Sequence, residues 1–106
     1  MRFGVIGSGS WATALAKILT DNRTPINWWI RHPSIIRHIQ TRHHNPQYLP
    51  SVQFDTGLLA MSDNVQEVVA ASDTLVIAVP SAYVAGTLQG LDKGIFREKK
   101  IISAVK

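Results

Sequence analysis

At 106 residues, with 45% apolar and 17% charged side chains, the chain has the length and balance of one globular domain, which excludes a disordered or fibrous class. It has no cysteine, so a disulfide framework and thiolate metal sites are excluded and a reducing, cytoplasmic compartment is expected. The net charge of +4 is unevenly spread: no acidic residue lies between Asp21 and Asp55, where Arg23, Arg31, Arg37, Arg42, His32, His38, His43 and His44 fall. Such a run is either a solvated basic face or the neighbour of an anion.

The elements follow in chain order. Residues 2 to 6 form a short apolar run ending in glycine, which predicts a buried strand flowing into a turn. Arg2 before that run imitates a signal peptide, but Gly7 to Ser10 break it too early. Ala12, Leu15, Ala16, Ile18 and Leu19 recur at helical spacing from 10 to about 22, with Asn22 and Arg23 as a stop. A second strand is expected over 25 to 30, with proline at its first position. Pro33 opens a short polar helix to about Arg42, and the proline- and amide-rich stretch 43 to 56 reads as an ordered loop.

A brief third strand is expected over 58 to 61, followed by a helix capped by Ser62 or Asp63 and carrying Val65, Val68 and Val69. Residues 73 to 79 are apolar on both faces, as in a central parallel strand. Pro80 and Ser81 end it. A helix to about 89, a polar connection and a last strand over 100 to 105 complete the pattern. Strands alternating with helices imply a parallel sheet with right-handed crossovers. No stretch approaches the roughly 18 apolar residues of a membrane span.

Gly7-Ser8-Gly9-Ser10-Trp11-Ala12 matches G-x-G-x-x-A between a predicted strand and a predicted helix, the context in which that spacing binds a dinucleotide. Gly7 permits the tight turn, Gly9 lets the backbone approach a pyrophosphate, and Ala12 keeps the helix near the sheet. The helix has no acid in its first turn, so its positive end stays available to a phosphate. The fold class expected is therefore α/β and Rossmann-like: a doubly wound parallel sheet of about five strands with helices on both faces.

The end of the second strand bears on the cofactor. An NAD-specific site usually places an acid about 20 residues after the glycines, whereas an arginine accommodates a 2′-phosphate. Here the strand ends Trp28-Trp29-Ile30-Arg31-His32. NADP(H) should be accepted alongside NAD(H), unless Arg31 and His32 are ordinary surface residues.

These residues resemble the bacterial NAD(P)-dependent glycerol-3-phosphate dehydrogenase family. The resemblance runs through G-S-G-S-W-A-T-A-L-A at 7 to 16, W-I-R at 29 to 31, N-P-Q-Y-L-P at 45 to 50, A-V-P-S at 78 to 81 and S-A-V-K at 103 to 106. It implies a two-domain enzyme that interconverts dihydroxyacetone phosphate and sn-glycerol 3-phosphate by hydride transfer, feeding glycerophospholipid synthesis. By position it implies that Ser10 and Trp11 contact the cofactor at the glycine turn and that Arg31 and His32 lie at its adenosine end. Pro80 would stand at the carboxyl end of the central strand, and Lys106 would touch both cofactor and substrate. Ala12 stands where many members carry glycine, a change the turn should tolerate.

On this resemblance residues 1 to 106 are the dinucleotide-binding domain, a mostly helical substrate domain lies outside the chain, and no general acid or base is assigned. The chain alone is expected to bind cofactor without turnover. Surface normally covered by that domain could bring two copies together as a homodimer.

Tyr48 either approaches the cofactor or packs its loop. Trp28 and Trp29 adjoin on a strand and point to opposite faces, one buried and one covering an edge or the adenine region. His43 and His44 are adjacent and lack further ligands, so no metal site is expected. A pI of about 9.9 raises nucleic-acid binding, but neither a ribonucleoprotein motif nor a helix-turn-helix signature accompanies it. The alternative from another class is a stand-alone nucleotide-sensing module without enzymatic activity.

Overall fold

In the computed structural model, which describes residues 2–49, 51–91 and 93–104, the amino-terminal apolar run forms strand β1, Phe3–Ile6. Helix α1 (Ser10–Asp21) follows, then β2 (Ile26–Trp29) and α2 (Pro33–Arg42). Beyond a loop come β3 (Leu59–Ser62), α3 (Val65–Ala70), β4 (Thr74–Ile77), α4 (Ser81–Leu88) and β5 (Lys100–Ser103). The strands make a five-stranded sheet in the order β3-β2-β1-β4-β5, and every neighbouring pair is parallel.

Alternation along the strands divides the core in two. Phe3 and Val5, with Ile26, Trp28 and Ile30, face a cluster completed by Ala12 and Ala16 of α1, Ile35 and Ile39 of α2, and Phe54 of the loop. Ile6, with Leu75, Ile77 and Val79, faces the opposite cluster, which contains Val68 and Val69 of α3. A period of two therefore sends successive residues to helices on opposite faces of the sheet. The expected α/β, doubly wound parallel architecture is present.

Local chemistry sets the boundaries. The buried residues of α1 are Ala12, Thr13, Ala16 and Thr20, small side chains on one face that let the helix lie close to the sheet. The helix stops where the Asn22 amide donates back to the Ile18 carbonyl at 3.1 Å and Arg23 turns left-handed at φ 61. The second strand starts one residue after Pro25, and the outer expected strand residues 73, 78 and 79 lie beside the ladder. The expected polar connection contains a short 3-10 turn over Lys93–Phe96, and Ile95 and Phe96 pack against the second core.

The cap of α3 corrects the sequence expectation. Asn64, rather than Ser62 or Asp63, accepts from the Gln66 and Glu67 N–H groups at 3.0 and 3.4 Å. Ser62 belongs to β3, and its hydroxyl donates to Glu67 Oε2 at 2.8 Å while accepting from Asn64 N.

Gly4 in β1 is required by a distant neighbour. A Cβ there would meet Ser72 Oγ and Cβ inside van der Waals contact and Leu75 Cδ2 at 3.0 Å. Ser72 is itself held by the Asn27 amide at 3.1 Å and by its own bond to the Val68 carbonyl at 2.6 Å. Gly4→Ala should therefore destabilise the chain by about 1–3 kcal/mol, as overpacking a filled interior does. The check is a urea midpoint, and an unchanged midpoint would mean that Ser72 yields freely.

The loop after α2 is tied back at several points. Phe54 lies 5.3 Å from Trp28, ring to ring, with the Lys17 ammonium 5.9 Å from the centroid of the Phe54 ring. Arg23 Nη1 meets Asp55 Oδ2 at 2.9 Å, and this contact, with the Gly57 N–H, holds the Asp55 carboxyl below the usual range. With the folded value lowered, the tie is complete at neutral pH and is lost as pH falls through that value.

Candidate functional site

The strand order reverses beside β1: the chain goes outward through β2 and β3, then returns to the other flank for β4 and β5. Open α/β sheets bind ligands outside the carboxyl ends of the strands at such a reversal. Two glycines stand there for different reasons. Gly7 has φ +128, and a Cβ on it would lie 2.8 Å from the Ala78 carbonyl at the end of β4, so the fold itself demands glycine.

Gly9 carries no such demand. Its φ of −72 and ψ of −172 suit any residue, and nothing lies within 4 Å of where its Cβ would be. The open space begins at the amino end of α1, which has neither a side-chain cap nor an acid in its first turn. An uncapped, unneutralised helix end facing space that a side chain would fill fits a phosphate group. On these residues, the turn fits the pyrophosphate of a dinucleotide.

Around the turn lies a groove made of two adjoining cavities of ≈ 230 and ≈ 260 Å³. Both include Gly9, Tyr48, Ala78, Val79 and Pro80. Each alone is below the ≈ 300–1,000 Å³ usual for ligand pockets, and joined they fall within it. One cavity takes Gly7, Arg31 and His32, the other Ser10 and Trp11. Eight of the nine expected site residues thus come together; Lys106 lies outside the described residues.

Tyr48 opens onto both cavities and is 40% exposed. Trp28 is fully buried, while Trp29 is half-buried and turned to the groove beside Arg31. Among the described residues no carboxylate pairs with Arg31.

Sequence reasoning missed Tyr83 and Thr87. They line the groove from α4, and Tyr83 is 62% exposed. Their spacing of four on a helix that starts at the carboxyl end of the central strand was the available signal. Gln47 and Ile35 also line it. The histidines pair differently from their order in the sequence: His38 and His44 bring their Nε2 atoms to 3.1 Å. Among the described residues no group of three histidine or carboxylate side chains is placed to hold a metal ion.

Residues 2–106 match the family model described as NAD-dependent glycerol-3-phosphate dehydrogenase N-terminus. The chain belongs to this family. A glycerol-3-phosphate dehydrogenase (NAD(P)+) of Frankia casuarinae is 39% identical over 89 residues, 84% of this chain and 26% of that protein. One from Thermobifida fusca is 35% identical over 106 residues, 99% of this chain and 31% of the relative. The chain thus spans less than a third of the length of these dehydrogenases.

Solved structures extend the likeness at the level of fold. The chain is similar to DsGPDH of Dunaliella salina, with a TM-score of 0.86 at 21% identity, over 99% of this chain and 21% of that one. It is similar to a glycerol-3-phosphate dehydrogenase of Coxiella burnetii, with a TM-score of 0.78 at 22% identity, over 99% and 32%. A UDP-glucose dehydrogenase of Pyrobaculum islandicum superposes as well, with a TM-score of 0.80 at 19% identity over 98% and 28%. The architecture is therefore common to dehydrogenases acting on different substrates, and family membership rests on sequence.

Proposed function

We propose that residues 1 to 106 are the dinucleotide-binding domain of an NAD(P)-dependent sn-glycerol-3-phosphate dehydrogenase. The observation that carries this reading is Gly9: a glycine that the fold does not need, set at the open amino end of α1 and at the reversal of the sheet. Gly7, Gly9 and Ser10 would receive the pyrophosphate, with Trp11, Tyr48 and Pro80 along the groove. Arg31 and His32 would meet the adenosine end, and Lys106 would reach cofactor and substrate.

The nicotinamide, when bound, carries the hydride exchanged between dihydroxyacetone phosphate and sn-glycerol 3-phosphate. What this chain does is hold and orient that cofactor. Hydride transfer also requires the substrate held over the ring and a proton delivered to the new alkoxide, tasks we assign to the remainder of a longer polypeptide. The product is a precursor for glycerophospholipid synthesis. The cysteine-free sequence supports a cytoplasmic setting, and no described helix is long and apolar enough to cross a membrane.

A nucleic-acid partner gains no support from the basic run. Arg23 is engaged by Asp55, Arg31 and His32 line the groove, and Arg42 sits in the last turn of α2, where it complements the helix dipole. The test is a paired titration with NADPH and NADH, followed by tryptophan fluorescence and calorimetry. Saturable binding, tighter for NADPH, is expected. A folded sample that binds neither would sink the reading.

A further inference from the structure

Three consecutive carbonyls of the glycine turn are held by side chains. The Trp28 indole N–H donates to Gly7 O at 2.6 Å. The Asn45 amide donates to Ser8 O at 3.2 Å and to the Thr13 hydroxyl oxygen at 3.2 Å. The Thr13 hydroxyl donates to Gly9 O at 2.7 Å, beside the first backbone bond of α1 from Thr13 N at 2.9 Å, and lies 3.4 Å from Ser8 O.

All three donors are buried, Trp28, Thr13 and Asn45 each at 0% exposure. Peptide units are planar and, among the described residues, trans, so a carbonyl fixed toward the interior turns the N–H of the next residue the other way. The N–H groups of Ser8, Gly9 and Ser10 are thereby aimed together at the groove that Gly7, Ser8, Gly9 and Ser10 line. Such a concave run of N–H groups is an anion cradle.

Asn45 adds a second link. Its Oδ1 accepts from Gln47 N at 2.9 Å and Tyr48 N at 3.2 Å, so the same side chain fixes the turn that presents Tyr48 to the groove. Asn45 uses both amide hydrogens and its oxygen in these contacts. No isosteric residue can: aspartate keeps the acceptor and loses the donor, and leucine loses both.

We infer that Thr13 and Asn45 are positioning residues for the pyrophosphate: by holding the Ser8 and Gly9 carbonyls inward they aim the backbone N–H groups of Gly9 and Ser10 at the anion, beside the Ser8 N–H that Trp28 aims by holding the Gly7 carbonyl. This rests on the dinucleotide reading above. It adds that the affinity for the phosphates is set by two side chains that never touch them. Orientation fixed before binding leaves no cost of turning the dipoles at the moment of contact.

The test takes the whole chain as wild type, Thr13→Val, Thr13→Ser and Asn45→Asp, titrated with NADPH, NADH and inorganic pyrophosphate, with the unfolding midpoint measured for each. Thr13→Val keeps the shape and removes the hydroxyl; it should weaken all three ligands about tenfold, consistent with the loss of one oriented hydrogen bond. Thr13→Ser should restore them to within about twofold. Asn45→Asp should weaken pyrophosphate at least as much, because a carboxylate is set against the Ser8 carbonyl. The NADPH to NADH ratio should stay constant, since the 2′-phosphate lies at the far end.

Undiminished pyrophosphate affinity in both Thr13→Val and Asn45→Asp overturns the inference. Should those variants fail to fold, amide NMR of the wild-type chain decides it: pyrophosphate should shift the Ser8, Gly9 and Ser10 N–H signals more than any others. NADPH binding that leaves those three unmoved overturns the inference alone. Pyrophosphate that moves them in a chain binding neither cofactor supports the cradle and overturns the dinucleotide reading.

Discussion

Gly9→Val should abolish measurable binding of both NADPH and NADH, a loss of about a hundredfold or more, while leaving the chain folded. A valine side chain would project into the space in which the pyrophosphate has to approach the Ser10 end of α1, since nothing within 4 Å of that Cβ direction belongs to the protein. Losing the contacts of a doubly charged group with oriented N–H donors accounts for the size, because a hundredfold is only about 2.7 kcal/mol.

The effect on stability is the discriminating part. Valine suits the extended backbone of φ −72 and ψ −172 and reduces the freedom of the unfolded chain, a gain of about 0.4–1 kcal/mol. It is also a poorer residue than glycine at a helix N-cap, a loss of about the same size. The two nearly cancel, so calorimetry should report a similar unfolding midpoint with no binding. A variant that still binds cofactor would show that the ligand does not pass over this turn. Substituting Gly7 would give no such separation, because its φ of +128 and the nearby Ala78 carbonyl tie it to the fold.

Arg31→Asp should reverse the preference between cofactors, shifting the NADPH to NADH affinity ratio by about 10- to 100-fold, as expected for exchanging a charge-assisted hydrogen bond for repulsion. Arg31 stands just past the end of β2, in the groove with Trp29 and His32 and with no described carboxylate to neutralise it. A 2′-phosphate there meets a free guanidinium; an aspartate instead repels it and accepts from ribose hydroxyls. The wild-type preference should also fall with added salt, because Arg31 is exposed and screened. Parallel titrations measure both. A ratio that ignores the substitution would remove Arg31 from the 2′-phosphate site.

How much of this was legible in the sequence depends on the distance over which each cause acts. The strand of residues 73 to 79 announced itself because burial on both faces leaves an unbroken apolar run, and β4 is indeed fully buried. Helix α2 was bounded by its own Pro33 and Arg42. The α3 cap was not settled, because Ser62, Asp63 and Asn64 are all good caps; the choice fell to Asn64 once the pairing of Trp29 with Ser62 took the serine into β3.

Gly4 gave no local signal, since its reason is Ser72 in the turn after α3, far along the chain. At the site, the glycine spacing pointed to Gly7 and Gly9, the strand end to Arg31 and His32, and the family resemblance to Ser10 and Trp11, and all six line the groove. Asn45 was visible as loop amide content and as the first residue of the N-P-Q-Y-L-P stretch, with no role attached to it. Its contacts to Ser8 and Thr13 join segments that the linear chain keeps far apart, as do those of Tyr83 and Thr87 to the same groove.

The two cores are not equally closed. The first surrounds Trp28 with α1, α2 and Phe54, whereas on the other side α4 contributes no buried residue and every residue of β5 is exposed. Hydrogen exchange should follow that division, with amides of β1 and β2 exchanging near the rate of whole-chain unfolding and those of α4 far sooner. A ligand lying from Arg31 to Tyr83 would bridge the slow and the fast halves, and part of its binding energy would appear as slowed exchange in α4. Such a ligand would make the groove the seam along which this chain is tightened.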